Sequence, residues 1–179
     1  MTNRSIRISA LTLLLILSQV ICAFAFEQKS RHATLRYSDP KLVREFNDRV
    51  YFGRSLLRIL RKRNVVTSEE EGMAKIDIII EKAMVVLDMF PDNMHITVVL
   101  LPRASDVARV YKERYGRSAN HIAYYSLSEK TIYLSVSNVN LEVISHEVGH
   151  AVVDHFFKVR PPYNIHELMA QFTAKHIQD

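Results

Sequence analysis

The sequence holds a single cysteine, Cys22, and a disulfide needs two. Cys22 also lies in an N-terminal stretch expected to be removed. The chain left behind then has neither a disulfide nor a thiolate ligand, so any metal site must be built from histidine and carboxylate. Excess charge is scarce too. The formal net charge of +5 falls to +3 when Arg4 and Arg7 are subtracted, because no acidic residue precedes Glu27. With neither repeats nor a low-complexity tract, nothing in this pattern suggests nucleic-acid recognition. A long unbroken apolar run is missing as well. The stretch Ile8 to Cys22 is interrupted by Ser9, Thr12, Ser18 and Gln19, which makes it a poor permanent membrane span.

What that stretch does have is the layout of a signal peptide. Arg4 and Arg7 form a positive start, Ile8 to Cys22 an apolar core, and Ala23-Phe24-Ala25 an A-x-A cleavage site. An uncleaved anchor fits these flanks less well, and Ile21 before Cys22 is too bulky for lipoprotein processing. The expectation is export, to a periplasm or the medium. Cleavage after Ala25 takes 25 residues from 179 and leaves 154, enough for one domain with a core. The expected organisation is a signal peptide over 1–25, a strand and helix segment over 26–66, and a core over 67–179.

His32 to Tyr37 reads as a short strand, and Ser38-Asp39-Pro40 as a helix start. The helix carries Leu42, Val43, Phe46 and Val50 and is expected to continue past Gly53. It would end in the basic run Arg54, Arg58, Arg61, Lys62 and Arg63. That run reads as a solvated helix face with cations near its C-terminal end. Contact with an anionic membrane surface is the less favoured alternative. Thr67 and Ser68, each with Glu three residues on, give two overlapping capping boxes. They open a core helix of Met73, Ile76, Ile80, Ala83, Met84 and Leu87, stopped by Pro91. "HITVVLL", His95 to Leu101, reads as a buried strand ended by Pro102. Ser105 is expected to cap a helix closed by Gly116. His121 to Ser126 and Thr131 to Val136 read as a hairpin. Asn140 is the candidate cap of the next helix, Pro161-Pro162 breaks it, and a last helix runs from Asn164. These elements predict an α+β fold.

The chemistry sits in that penultimate helix, His146-Glu147-Val148-Gly149-His150. Histidines four apart share one helical face and can point two imidazoles at one ion. Glu147 lies about 100° round the helix, beside the ion rather than on it, where a carboxylate can hold a water and take its proton. A catalytic zinc wants three protein ligands and one open position. His155 lies about 140° off the ligand face, and Asp154 is a turn too far along. Glu167 begins Glu-x-x-Ala on a new helix, with small Ala170 allowing close helix approach. It is the favoured third ligand, and His166 is its main competitor. One zinc per chain is expected.

The segments HEVGHAVVD and PPYNIHELMAQFTA resemble the gluzincin metallopeptidases, the thermolysin-like group with H-E-x-x-H and a downstream glutamate. Over about 67–177 the order of elements is similar to the N-terminal half of the zincin fold. "HATLRYSD" with "HITVVLLP" is similar to small exported peptidase-MA-like proteins of bacteria. A metzincin would need Gly at Val153 and His at Phe156. The resemblance implies a zincin-like subdomain: a small sheet with mostly antiparallel edges, packed on a backing helix and the H-E-x-x-H helix, with a glutamate-bearing C-terminal helix. It implies zinc-dependent peptide hydrolysis, in which Glu147 removes a proton from water and returns it to the leaving amine. An extended peptide or protein substrate would pair with the strand around Ala123 to Tyr125. Tyr124 and Tyr125 alternate faces, so either one lines the cleft or both are interfacial aromatics.

Two departures from the resemblance stand out. The family's Asp four residues after the ligand glutamate, which orients a zinc histidine, is Gln171 here. Asp154 matches the family's H-A-V-x-D segment and is a candidate for that orienting role, or else an ordinary exposed carboxylate. Only twelve residues follow Glu167, so the expected cleft lacks a C-terminal wall and its oxyanion stabiliser. Tyr163, His166, Arg160 and Tyr125 are the substitutes. The leading reading is a zinc metallopeptidase. Its rivals are a non-catalytic zinc-binding protein with a partner-docking cleft, and a coincidental motif in a membrane-surface helical protein.

Overall fold

The computed structural model describes residues 26–179, so the expected signal peptide over 1–25 lies outside the described residues. The chain runs β1 (Phe26–Lys29), β2 (Ala33–Tyr37), α1 (Pro40–Arg49), α2 (Arg54–Arg61), α3 (Ser68–Leu87) and β3 (Ile96–Leu101). It continues through α4 (Ala104–Tyr115), β4 (Ala123–Ser126), β5 (Thr131–Ser135), α5 (Leu141–Phe156) and α6 (Tyr163–His176). This is an α+β fold with one five-stranded mixed sheet ordered β1-β2-β3-β5-β4. The two outer pairs, β1 with β2 and β4 with β5, are antiparallel, while β3 lies parallel to both its neighbours. No helix among the described residues is long and apolar enough to cross a membrane.

Alternation along the strands sorts side chains to two faces. Ile96, Val98 and Leu100 of β3, with Ile132 and Leu134 of β5, join the main core shared with α1, α3 and α5. Val99, Leu101, Tyr124 and Tyr133 point the other way, into a smaller cluster with Val107 and Val110 of α4. Helix α3 is held at its start by one of the two expected boxes. Thr67 Oγ1 accepts the Glu70 N–H at 3.1 Å, and Glu70 accepts the Thr67 N–H at 3.1 Å. Its buried residues Met73, Ile76, Ile79, Ile80 and Ala83 put it at the centre of the helical layer.

Three local expectations are corrected. The helix from Pro40 does not run through Gly53. It stops at Arg49, and Val50 leaves the helical region with ψ 80°. The chain turns there so that Val50 and Phe52, as well as Leu56 and Leu60 of α2, reach the core. Burial of four apolar side chains outweighs a continuous hydrogen-bond ladder. The turn is closed by Gly53, whose N–H donates to Gln178 Oε1 at 2.9 Å. Ser105 is not a cap, because Arg103 takes the cap position and its N–H is bound by Asp106 at 3.2 Å. Strand β1 was not expected. Residues 26–64 build the sheet edge opposite β4 and the helices on it, and none of them lines the cavities around Glu147.

Candidate metal centre

Helix α5 starts where Asn140 Oδ1 accepts the Val143 N–H at 2.9 Å. It buries Ile144, Val148, Ala151 and Val152 in the main core. That orientation leaves His146, Glu147 and His150 half-buried on the flank between β4 and α6. Helix α6 returns after Pro161-Pro162 and packs on α5 unusually closely. A Cβ on Gly149 would stand 2.9 Å from the Ala170 Cα and 2.9 Å from Thr173 Oγ1. Glu167, one turn before Ala170, is thereby brought over the histidine pair.

The three donor groups converge. His146 Nε2 and His150 Nε2 are 3.1 Å apart. His146 Nε2 lies 3.4 Å from Glu167 Oε1, and His150 Nε2 lies 3.4 Å from the other oxygen, Oε2. Ligand atoms about 2.1 Å from a tetrahedral ion stand about 3.4 Å from one another. The His146-His150-Glu167 group can therefore hold a metal ion, and its His₂-carboxylate donor set is one that zinc accepts. Burial first, then neighbouring His146, His166 and Arg160, push the His150 imidazole down to about 3. It is neutral over the whole physiological range, as a ligand must be.

Glu147 sits beside this trio rather than in it. Burial, supplemented by the charge of Glu167, pushes its carboxyl up to about 7, against a hydrogen bond from the Tyr125 N–H. That bond reveals the register of β4. Ser135 N–H donates to the Ile122 carbonyl at 2.8 Å. In an antiparallel pair the bonded positions alternate, so Tyr124 and Ser126 face β5 with their main chain. Ala123 and Tyr125 turn theirs outward, along the open edge of the sheet. Two cavities meet at this edge. One of about 840 Å³ is lined by Ile122, Leu141, Val143, Glu147, Ile177 and Gln178 among others. A smaller one of about 230 Å³ takes in His121, Tyr125, Glu147, Arg160, Tyr163 and Glu167.

The other sequence candidates fall in definite places. His166, the competitor for third ligand, is 1% exposed and is not among the converging donors. Its Nδ1 lies 2.7 Å from the Nδ1 of His150. Gln171 Nε2 donates to Glu167 Oε1 at 3.1 Å, so it steadies the glutamate and not a histidine. Asp154 is neither an exposed carboxylate nor a histidine partner. It is buried, accepts the Tyr125 hydroxyl at 2.8 Å and pairs with Lys130. Tyr124 turns to the far face among Tyr111, Tyr115 and Tyr133, and Tyr125 alone of the pair faces α5. Tyr163 is 74% exposed at the mouth of the smaller cavity. His155 Nδ1–H donates to the Ala151 carbonyl of its own helix, 2.8 Å away, and is not among the converging donors.

Two contributors were not expected. Gly149 is visible as an interior helix glycine, a signal of close backbone approach. Lys130 is not visible at all. It adopts a left-handed φ of 50° in the β4–β5 turn, and only the folded hairpin brings its ammonium to Asp154. No family profile, curated protein or solved structure matches this chain.

Proposed function

We propose that this chain is a zinc-dependent peptidase of the gluzincin type, with His146, His150 and Glu167 as ligands and Glu147 as the general base and acid. The observation that carries the reading is the conjunction of a tetrahedrally spaced donor trio with a perturbed carboxyl and an unpaired strand edge. Zinc, when bound, supplies Lewis acidity that polarises a carbonyl and lowers the pKa of water toward neutrality. The remaining chemistry belongs to the chain. The outward main chain of Ala123 and the Tyr125 carbonyl offer an extended peptide its backbone partners. The Tyr125 N–H holds the Glu147 carboxylate in one orientation. Glu147 takes a proton from water and delivers it to the departing amine, which a group titrating near neutrality does efficiently. The Tyr125 hydroxyl is committed to Asp154 and His166 to His150. Arg160 and Tyr163, at the smaller cavity, are left as donors for the developing oxyanion. The layout of β3, β4–β5, α5 and α6 supports a zincin-like subdomain, and residues 1–25 would direct export.

A second reading keeps the metal but not catalysis, and a specific observation favours it. Ile165, Leu168 and Phe172 lie exposed along α6, at 39%, 60% and 47%. Such a stripe suits docking of a partner beside the centre. Zinc content and hydrolysis of a quenched fluorescent peptide library, measured on the parent and on Glu147→Gln, separate the two. Hydrolysis lost in a zinc-replete variant supports the enzyme. Equal cleavage by both chains would sink it, and zinc without any cleavage leaves the docking protein.

A further inference from the structure

In a metal-binding imidazole pair, each ring must present a lone pair to the ion and keep its proton on the other nitrogen. For His150 the ion-facing atom is Nε2, so the proton belongs on Nδ1. The partner of that Nδ1 is the unusual feature of this centre. The two residues expected from the sequence to orient a ligand histidine are both engaged elsewhere, Gln171 with Glu167 and Asp154 with Tyr125 and Lys130. What stands behind His150 is a second imidazole, set edge to edge with it, centroids 4.9 Å apart and ring planes 17° from parallel.

Resting on the metal-centre reading, we infer that His166 is a positioning residue, whose Nδ1 lone pair accepts the Nδ1 proton of His150 and fixes the tautomer that can ligate. Two nitrogens 2.7 Å apart share one proton between them. With that proton on His166, His150 would carry its own on Nε2, aimed at Glu167 and His146, and the ion position would be blocked. With the proton on His150 Nδ1, both ligand nitrogens are free and His166 carries its proton on Nε2. No proton is gained or lost between the two arrangements; each ring moves one from one nitrogen to the other. The His166 Nε2 is buried and has no hydrogen-bond partner among the described residues, so none of them competes for the ring on that side. Its place in the first turns of α6, one residue before Glu167, lets the same helix deliver a ligand and the support of another ligand.

The test is zinc affinity of the full chain by competition with a chromogenic chelator, for the parent, His166→Phe and His166→Asn. Asparagine sets a carbonyl oxygen near the position of Nδ1, whereas phenylalanine keeps a ring without an acceptor. The expected result is a loss of about ten- to a hundredfold for His166→Phe. For His166→Asn the loss stays within about threefold, on the same acceptor argument. In the cobalt-loaded chain, the visible absorption bands should shift in His166→Phe and return in His166→Asn. Nitrogen-15 spectra of the zinc-loaded parent should show His150 protonated on Nδ1 and His166 on Nε2. Parent-like affinity in folded His166→Phe overturns the inference. So does equal loss in the two variants, which would mean that the ring only packs. A parent chain that takes up no zinc overturns the metal centre itself, a failure distinct from the other two.

Discussion

Gly149 and Ala170 approach so closely that a single methyl group on the glycine has nowhere to go. Its Cβ would meet the Ala170 Cα at 2.9 Å, an atom of backbone rather than a flexible tip. Helix α6 would have to move, and Glu167 would move with it. The spacing of this one pair therefore sets the position of the third donor relative to the other two.

Gly149→Ala is accordingly expected to be harmful although it raises intrinsic helix propensity by ~1 kcal/mol. Overpacking against α6 should cost about 1–3 kcal/mol net. Zinc affinity should fall with it. Thermal melts of the metal-free and zinc-loaded variant check this, and an unchanged zinc-induced rise in Tm would show that α6 yields without displacing Glu167.

Glu167→Ala removes one of three donors and leaves His146 and His150 facing each other at 3.1 Å. Zinc should drop from about one ion per chain to a small fraction of that after dialysis. Elemental analysis gives the answer. Retention of a full equivalent would mean that another residue completes the set.

Glu147→Gln should retain zinc, since the Glu147 carboxylate is not among the converging donors. Peptide hydrolysis should fall by roughly a hundredfold or more, the usual contribution of a positioned proton-transfer group. Rates on one purified peptide, normalised to bound zinc, measure the effect.

The metal-free protein should show two opposed acid–base contributions to stability. Glu147 titrates near 7 in the fold against 4.5 when unfolded, so the folded state holds its proton more tightly. That stability is complete below pH 4.5 and disappears as pH rises through 7. His150 is the reverse, near 3 in the fold against 6.5, and its contribution is present above pH 6.5 and lost as pH falls toward 3. From pH 4.5 up to 7, Glu147→Gln should progressively gain stability relative to the parent, by about 3–4 kcal/mol at ~1.4 kcal/mol per unit. Urea unfolding with chelator across that interval decides it. A difference that does not change with pH would show that the carboxyl is not desolvated.

Asp154→Ala strands the Tyr125 hydroxyl and frees Lys130 at the hairpin turn. Loss of these bonds to a buried carboxylate should cost about 1–3 kcal/mol. Because Tyr125 lies on the edge proposed to take the substrate, KM should rise more than kcat falls, with zinc content unchanged. Equal effects on both constants would place Asp154 closer to the chemistry than its contacts do.

Much of this molecule was legible locally. The Thr67–Glu70 box, the Asn140 cap, strand β3, the β4–β5 hairpin and the one-turn spacing of His146 and His150 all follow from short-range periodicity and capping chemistry. These are decided by residues within a turn or two of one another. The α+β class follows from their order. The break at Gly53 was not legible, because it is fixed by contacts with Gln178, 125 residues away, and by which apolar groups the core has room to bury. Nor was the mixed sheet, since strand alternation says which side chains share a face but not which strand lies alongside. At the candidate metal centre the same division holds. The sequence names two histidines, a glutamate between them and a glutamate beyond. Only the packing of α6 on α5 turns His166 from a competing ligand into the partner of His150, and Asp154 from a histidine partner into the anchor of Tyr125. Side-chain roles of that kind depend on distances of a few ångströms between helices, which no one-dimensional spacing contains.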